Sequence, residues 1–209
     1  MRVVLLCHAA TDATRRAAFA GDEPVPPEEL ARVAAGGEVA DGGSAADGGV
    51  AAGGEVAAGR GSARPVPRAD RVCRAPSLRC GQTAEALGLD ATPDDRLAGC
   101  DFGAWTGRTL EDVLAADPAG VTTWLDDPAA TPHGGESLVR VLKRAGRWLD
   151  DRAGERAVLA VVDATVIRAL VVHALGAGPR SMWRVDISPL SRTVLVGEPG
   201  RWSLRELVR

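Results

Sequence analysis

The chain has 209 residues, 45% of them hydrophobic, and a formal net charge of −3. That suffices for one domain with a sizeable core, and it leaves no basic stripe for nucleic acid and no polybasic patch for a membrane surface. No apolar stretch approaches the roughly 20 residues that span a bilayer.

The first run, Val3-Val4-Leu5-Leu6-Cys7-His8, stops abruptly at Ala9-Ala10-Thr11-Asp12. This predicts a strand, a tight loop and a helix, with His8 at the carboxyl end of the strand, where open α/β sheets bind ligands. The chain enters this strand without a charged leader, so a cytoplasmic protein is expected. Residues 34–63 are nearly all Ala, Gly, Val, Glu, Asp and Ser, and Ala-Ala-Gly-Gly-Glu-Val-Ala occurs there twice. With nothing large to bury, this segment is expected to be a flexible insertion within a single domain over residues 1–209.

Farther on, 69–74 is a strand candidate and 80–87 a helix. Residues 109–116 and 120–125 are short helices separated by Asp117-Pro118. From Ser137, residues Leu138, Val141, Leu142, Ala145, Trp148 and Leu149 recur on one helical face. The run 157–162 is uniformly apolar, as in a strand buried on both sides. An apolar helix over 165–175 follows, and then three short strands at 183–187, 193–196 and 202–207. Alternating strands and helices predict a three-layer α/β/α sandwich with a mostly parallel central sheet. His173 is expected at a core or helix edge, His133 near the pocket, and the five tryptophans in the core. Cysteines 7, 73, 80 and 100 lack metal-type spacing and are expected to be free thiols, with no metal site.

Five segments, in order, resemble the histidine phosphatases of the phosphoglycerate mutase-like superfamily. His8-Ala9-Ala10-Thr11 is similar to an Arg-His-Gly-x-Thr start. Ser77-Leu78-Arg79-Cys80-Gly81-Gln82-Thr83-Ala84 resembles the second arginine motif. Asp101-Phe102-Gly103-Ala104-Trp105-Thr106-Gly107 resembles D-F-G-x-W-x-G, and Gly134-Gly135-Glu136-Ser137 a G-G-E-S helix start. Val161-Val162-Asp163-Ala164-Thr165-Val166-Ile167-Arg168 resembles V-x-H-x-x-V-I-R.

The resemblance implies phosphoryl transfer from a small phosphorylated substrate through a phosphohistidine at His8, without a cofactor. Such catalysis is largely positioning and cationic stabilisation, which arginine forks supply well. It also implies Arg79, Thr11, Glu136 and Ala164 as substrate-binding residues. It says nothing of oligomeric state. Three expected groups are substituted: the first arginine by Cys7, the second histidine by Asp163, and the glutamate acid by Gly99. Gly81 stands where another arginine often occurs. Three readings follow. One is a weakened phosphatase in which Asp101 acts as the acid and Arg168 swings in. Another is an inactive binding protein. The third is a repurposed enzyme with His8 and Asp163 as an acid–base pair, or Cys7 as a thiol nucleophile.

Overall fold

The β-branched run at the N-terminus forms β1 (Arg2–Cys7). It lies in the middle of a six-stranded sheet with β2 (Arg71–Arg74), β3 (Thr92–Pro93), β4 (Ala157–Val162), β5 (Arg192–Glu198) and β6 (Arg201–Val208). The spatial order is β3-β2-β4-β1-β5-β6. The pairs β1–β4, β2–β4 and β2–β3 are parallel, whereas β5 runs antiparallel to both neighbours. The computed structural model describes residues 1–36, 69–152 and 154–208.

Side-chain alternation along the strands sorts the core into two faces. Val3 pairs with Val158 and Leu195, and Leu5 with Ala160, and all five belong to the main core. Val4 pairs with Leu159 and Val194, and these three form a separate cluster on the opposite face. The main core is completed by α6 (Leu138–Asp150) and α7 (Ala164–Ala174), whose buried residues include Val141, Trp148, Ile167 and Leu170. Ser137 caps α6 by accepting from Arg140 N–H at 3.3 Å, as the Gly-Gly-Glu-Ser start predicts. The helix α3 (Leu78–Ala86) packs against β2 and β4, with α2 (Pro27–Ala34) beside it.

The short helices are α1 (Asp12–Arg15), α4 (Leu110–Ala116) and α5 (Pro118–Asp126). Asp117-Pro118 both ends α4 and starts α5: Asp117 accepts from Gly120 N–H at 2.8 Å, and Pro118 takes the first helical position.

Several expectations need correction. Residues 183–187 are not a strand. A 3-10 helix covers Pro179–Arg184, and the carbonyl of Val185 accepts from Arg168 Nε at 2.9 Å instead of from a neighbouring strand. Trp183 is 38% exposed rather than core, whereas the other four tryptophans are buried. Helix α2 and the two-residue β3 were not anticipated. The segment expected at 34–63 starts on the last residue of α2, with 35 and 36 closing the helix. Its remainder lies outside the described residues. His173 lies at a helix edge as expected, its Nε2 2.9 Å from Asp150 Oδ2.

Candidate active site

The carboxyl ends of β1, β2 and β4 converge. His8 N–H donates to Val162 O at 3.2 Å, and Ala75 N–H to Val161 O at 2.9 Å. This brings His8, Arg79 and Asp163 together, each less than 8% exposed.

His8 Nδ1 is 2.7 Å from the carbonyl of its neighbour Ala9, and Nε2 is 3.4 Å from Asp163 Oδ1. A carbonyl can only accept, so Nδ1 is the donor there and Nε2 is the ring nitrogen that faces the carboxylate. Arg79 donates from Nε to Asp163 Oδ1 at 2.7 Å, and its Nη2 contacts the same oxygen. Its Nη1 donates to Gly21 O. Burial pushes the Asp163 carboxyl up, but the bond from His8 and the Arg79 charge outweigh it, and the carboxyl titrates below its usual range. Asp163 is therefore ionised at neutral pH, and it occupies the Arg79 guanidinium that would otherwise face a phosphoryl oxygen.

The Gln-Thr pair after Arg79 fixes this arrangement. Thr83 Oγ1 donates to Arg79 O at 2.7 Å and accepts from Ala9 N–H at 3.0 Å, holding the His8 loop against α3. Gln82 Oε1 accepts from Val25 N–H at 2.8 Å. Asp22 Oδ1 accepts from Leu78 N–H at 2.7 Å at the start of α3. Loop 21–25 is thus pinned to α3 at three points.

Gly99 lies where the resemblance places an acid. A Cβ at that position would be 3.1 Å from Asp163 Oδ2 and 3.3 Å from Arg79 Nη2. Position 99 therefore does point at the site, and Asp163 fills the space in front of it. Oδ2 of Asp163 is buried without a hydrogen-bond partner among the described residues.

The other expected site residues differ in their relation to this trio. Asp101 lines the same cavity as Arg79 and Gly99; it is exposed, and its Oδ1 accepts from Gly103 N–H at 2.8 Å, capping its own turn. Glu136 is gripped by Arg144, with Nε–Oε1 and Nη2–Oε2 both 2.8 Å. Arg144 also donates to the carbonyls of Arg96 and Gly99, so this pair braces the 96–99 loop. Thr11 is buried at the N-cap of α1 and donates to Glu23 Oε1 at 3.1 Å. Ala164 is the first residue of α7, directly after Asp163. Arg168 is committed to Val185 O. Cys7 is packed in the main core, and burial, with Asp163 second, pushes its thiol up to about 12. A thiol of that kind is not an activated nucleophile.

His133 lies within an aromatic cluster, with ring centroids 5.1 Å from Trp105 and 5.8 Å from Phe102. Its Nδ1 accepts from Gly135 N–H at 3.0 Å, and its carbonyl accepts from Ala104 N–H at 2.9 Å. It joins the 101–107 loop, which lines the cavity beside Arg79, to the 133–136 loop. A Cβ on Gly103, where φ is +47°, would meet the His133 carbonyl at 2.2 Å.

Sequence reasoning missed Glu23 altogether. It follows Gly21-Asp22 in a turn whose composition says only loop, and nothing in its spacing reveals that it folds back to Arg79.

The model of the histidine phosphatase superfamily (branch 1) matches residues 57–209. The chain belongs to this superfamily. His8 and β1 precede the matched stretch. A bifunctional protein of Mycobacterium tuberculosis is 40% identical over 113 residues, 52% of this chain and 31% of that protein. Phosphoserine phosphatase 1 of Hydrogenobacter thermophilus is 28% identical over 124 residues, 57% and 59% of the two chains. Glucosyl-3-phosphoglycerate phosphatase of Mycolicibacterium vanbaalenii is 33% identical over 121 residues, 51% and 53%. The chain thus spans less than two thirds of these relatives' length.

Solved structures agree on the fold. A mycobacterial glucosyl-3-phosphoglycerate phosphatase in complex with VO3 aligns with a TM-score of 0.73 at 23% identity, over 98% of this chain and 96% of that one. A putative alpha-ribazole-5'-P phosphatase from Escherichia coli aligns with a TM-score of 0.75 at 19% identity, over 100% and 96%. Among the described residues of this histidine phosphatase superfamily member, no helix is long and apolar enough to cross a membrane. No group of three or more His, Cys, Asp and Glu among them could hold a metal ion.

Proposed function

We propose that this chain is a histidine phosphatase superfamily member that carries its own counter-anion and hydrolyses phosphomonoesters poorly or not at all. One observation carries this reading: the Asp163 carboxylate accepts from Arg79 and faces His8 Nε2 at 3.4 Å. A phosphohistidine route needs the Nε2 lone pair free to attack phosphorus and the guanidinium free to hold oxygens. Asp163 engages both. Two unit charges about 4 Å apart interact by about 4 kcal/mol at an effective dielectric near 20, so a carboxylate in the phosphoryl seat is a strong deterrent to a dianion. Small phosphorylated molecules remain the ligand class that the family suggests.

The repurposed-enzyme reading gains no support from the geometry. Nε2 of His8 faces the Asp163 carboxylate rather than open space, and burial keeps the thiol of Cys7 protonated.

The test is turnover of p-nitrophenyl phosphate, phosphoserine and glucosyl-3-phosphoglycerate by the purified chain. Each lost transition-state contact costs a factor of about 100 to 1,000, so rates close to background are expected. Robust hydrolysis that disappears in His8→Ala would overturn the proposal.

A further inference from the structure

Arg79 meets carboxylates on two sides. Asp163 engages Nε and Nη2, while Glu23 Oε1 stands 3.7 Å from Nη1. Glu23 belongs to the loop between α1 and α2 and is about three quarters buried, with 24% of its side chain exposed. It is not a loosely tethered surface acid. Its Oε2 accepts from Gly21 N–H at 2.8 Å, and its Oε1 accepts from the Thr11 hydroxyl at 3.1 Å. The Thr11 hydroxyl does not contact Arg79, whereas Gly21 also accepts from Arg79 Nη1 through its carbonyl. The same loop is pinned to α3 through Asp22, Gln82 and the Gly21 carbonyl. The carboxylate of Glu23 therefore stays in place whether or not Asp163 holds the guanidinium.

We propose that Glu23 is a specificity-determining residue that acts with Asp163: the two carboxylates together close Arg79 to doubly charged oxyanions. The proposal rests on the reading of Asp163 given above and extends it to a second residue on a different loop. The charge count is simple. One guanidinium between two carboxylates carries a net negative charge, so a dianion is repelled. Neutralising one carboxylate leaves the guanidinium balanced by the other. Only when both are neutral does Arg79 present a full positive charge to an incoming anion.

The experiment measures binding of inorganic phosphate and orthovanadate by calorimetry at neutral pH. It uses the full chain as wild type, Asp163→Asn, Glu23→Gln and the double variant, each checked for native circular dichroism. Wild type and Glu23→Gln should show no binding, and Asp163→Asn weak binding. The double variant should bind more tightly than Asp163→Asn by about tenfold, the scale on which one nearby charge alters affinity for an ionic ligand. A double variant within about twofold of Asp163→Asn overturns the proposal and reduces Glu23 to a strut of its loop. So does the absence of anion binding in every variant. Should Glu23→Gln fail to fold, Glu23→Asp, which draws the carboxylate back by one methylene, carries the same test: a gain over Asp163→Asn is expected and none overturns it. Failure of the underlying reading shows separately, in the wild type alone, as His8-dependent hydrolysis.

Discussion

Asp163 Oδ1 lies 3.4 Å from His8 Nε2 and 2.7 Å from Arg79 Nε, so a single carboxylate oxygen faces both side chains. Asp163 also occupies the N-cap position of α7, yet its side chain makes no cap bond to that helix. The carboxylate is spent across the pocket instead.

Removing Asp163 should therefore be costly. Asp163→Ala leaves the buried guanidinium with Glu23, 3.7 Å away, as its only carboxylate among the described residues, and loss of one partner of a buried pair costs up to about 3–5 kcal/mol. The carboxyl is lowered in the folded state, so its stabilisation is complete above the usual carboxylate range and is lost as pH falls through the lowered value. Urea denaturation should show a wide gap between wild type and variant at pH 7 that narrows below about pH 4. A gap below about 1 kcal/mol at pH 7 would contradict this account of the pair.

The thiols should be inert in the native protein. Burial is the first cause for all four cysteines, raising Cys7, Cys73 and Cys100 to about 12 and Cys80 farther still. Iodoacetamide at pH 8 should label none of them in the folded chain and all of them in urea. Rapid native labelling of Cys7 would reopen a nucleophilic role.

Acid should loosen the wall of the site before it unfolds the sheet. Burial lowers His133, with Asp101 opposing, so the neutral ring is favoured in the folded state. Its contribution is complete above the ordinary histidine value of 6.5 and is lost as pH falls toward the lowered one. Protonation of Nδ1 also removes the acceptor for Gly135 N–H. Stability should decline as pH falls below about 6.5, and His133→Gln should flatten that slope while costing about 1–2 kcal/mol at pH 7. An unchanged slope in the variant would assign the acid sensitivity to other groups.

Restoring the expected residues should restore an anion site. Cys7→Arg with Asp163→His and Gly99→Glu adds a fixed cation, removes the internal carboxylate and returns a proton donor facing Arg79. Vanadate affinity should rise in the triple variant and much less in the single ones, because groups acting on one phosphoryl centre are strongly non-additive. Gly99→Glu alone should do least, since its Cβ would start 3.1 Å from Asp163 Oδ2. No gain in a correctly folded triple variant would mean that the pocket differs at further positions.

Much of the fold was legible because its signals are local. The apolar run 157–162 is a strand buried on both faces, and the 138–149 stripe is the buried face of α6. Elements without such a signal were lost. Thr92–Pro93 is too short for any periodicity, and Pro27–Ala34 adjoins the Ala/Gly-rich segment that dominates the reading there. Residues 183–187 carry a strand-like composition, but the Arg168 side chain takes the Val185 carbonyl and Trp183 turns to the ring of Trp124, 4.6 Å between centroids.

For the site, the sequence by itself determined that a histidine and an aspartate stand at the carboxyl ends of β1 and β4, because strand-end positions follow from hydrophobic patterning. The resemblance to the histidine phosphatases added Arg79, in α3, and marked Asp163 as standing where a second histidine is expected. Only the tertiary structure decided what those residues do to one another. Glu136 and Asp101 matched family motifs, yet Glu136 braces a loop through Arg144, while Asp101 caps its own turn at the edge of the cavity that holds Arg79. Glu23 matched nothing, yet stands 3.7 Å from the key guanidinium. The reason is physical: a charge acts through its distance to other charges and its access to water, and both are set by how loops 21–25 and 96–103 are pinned against α3 and α6, not by the spacing of residues along the chain.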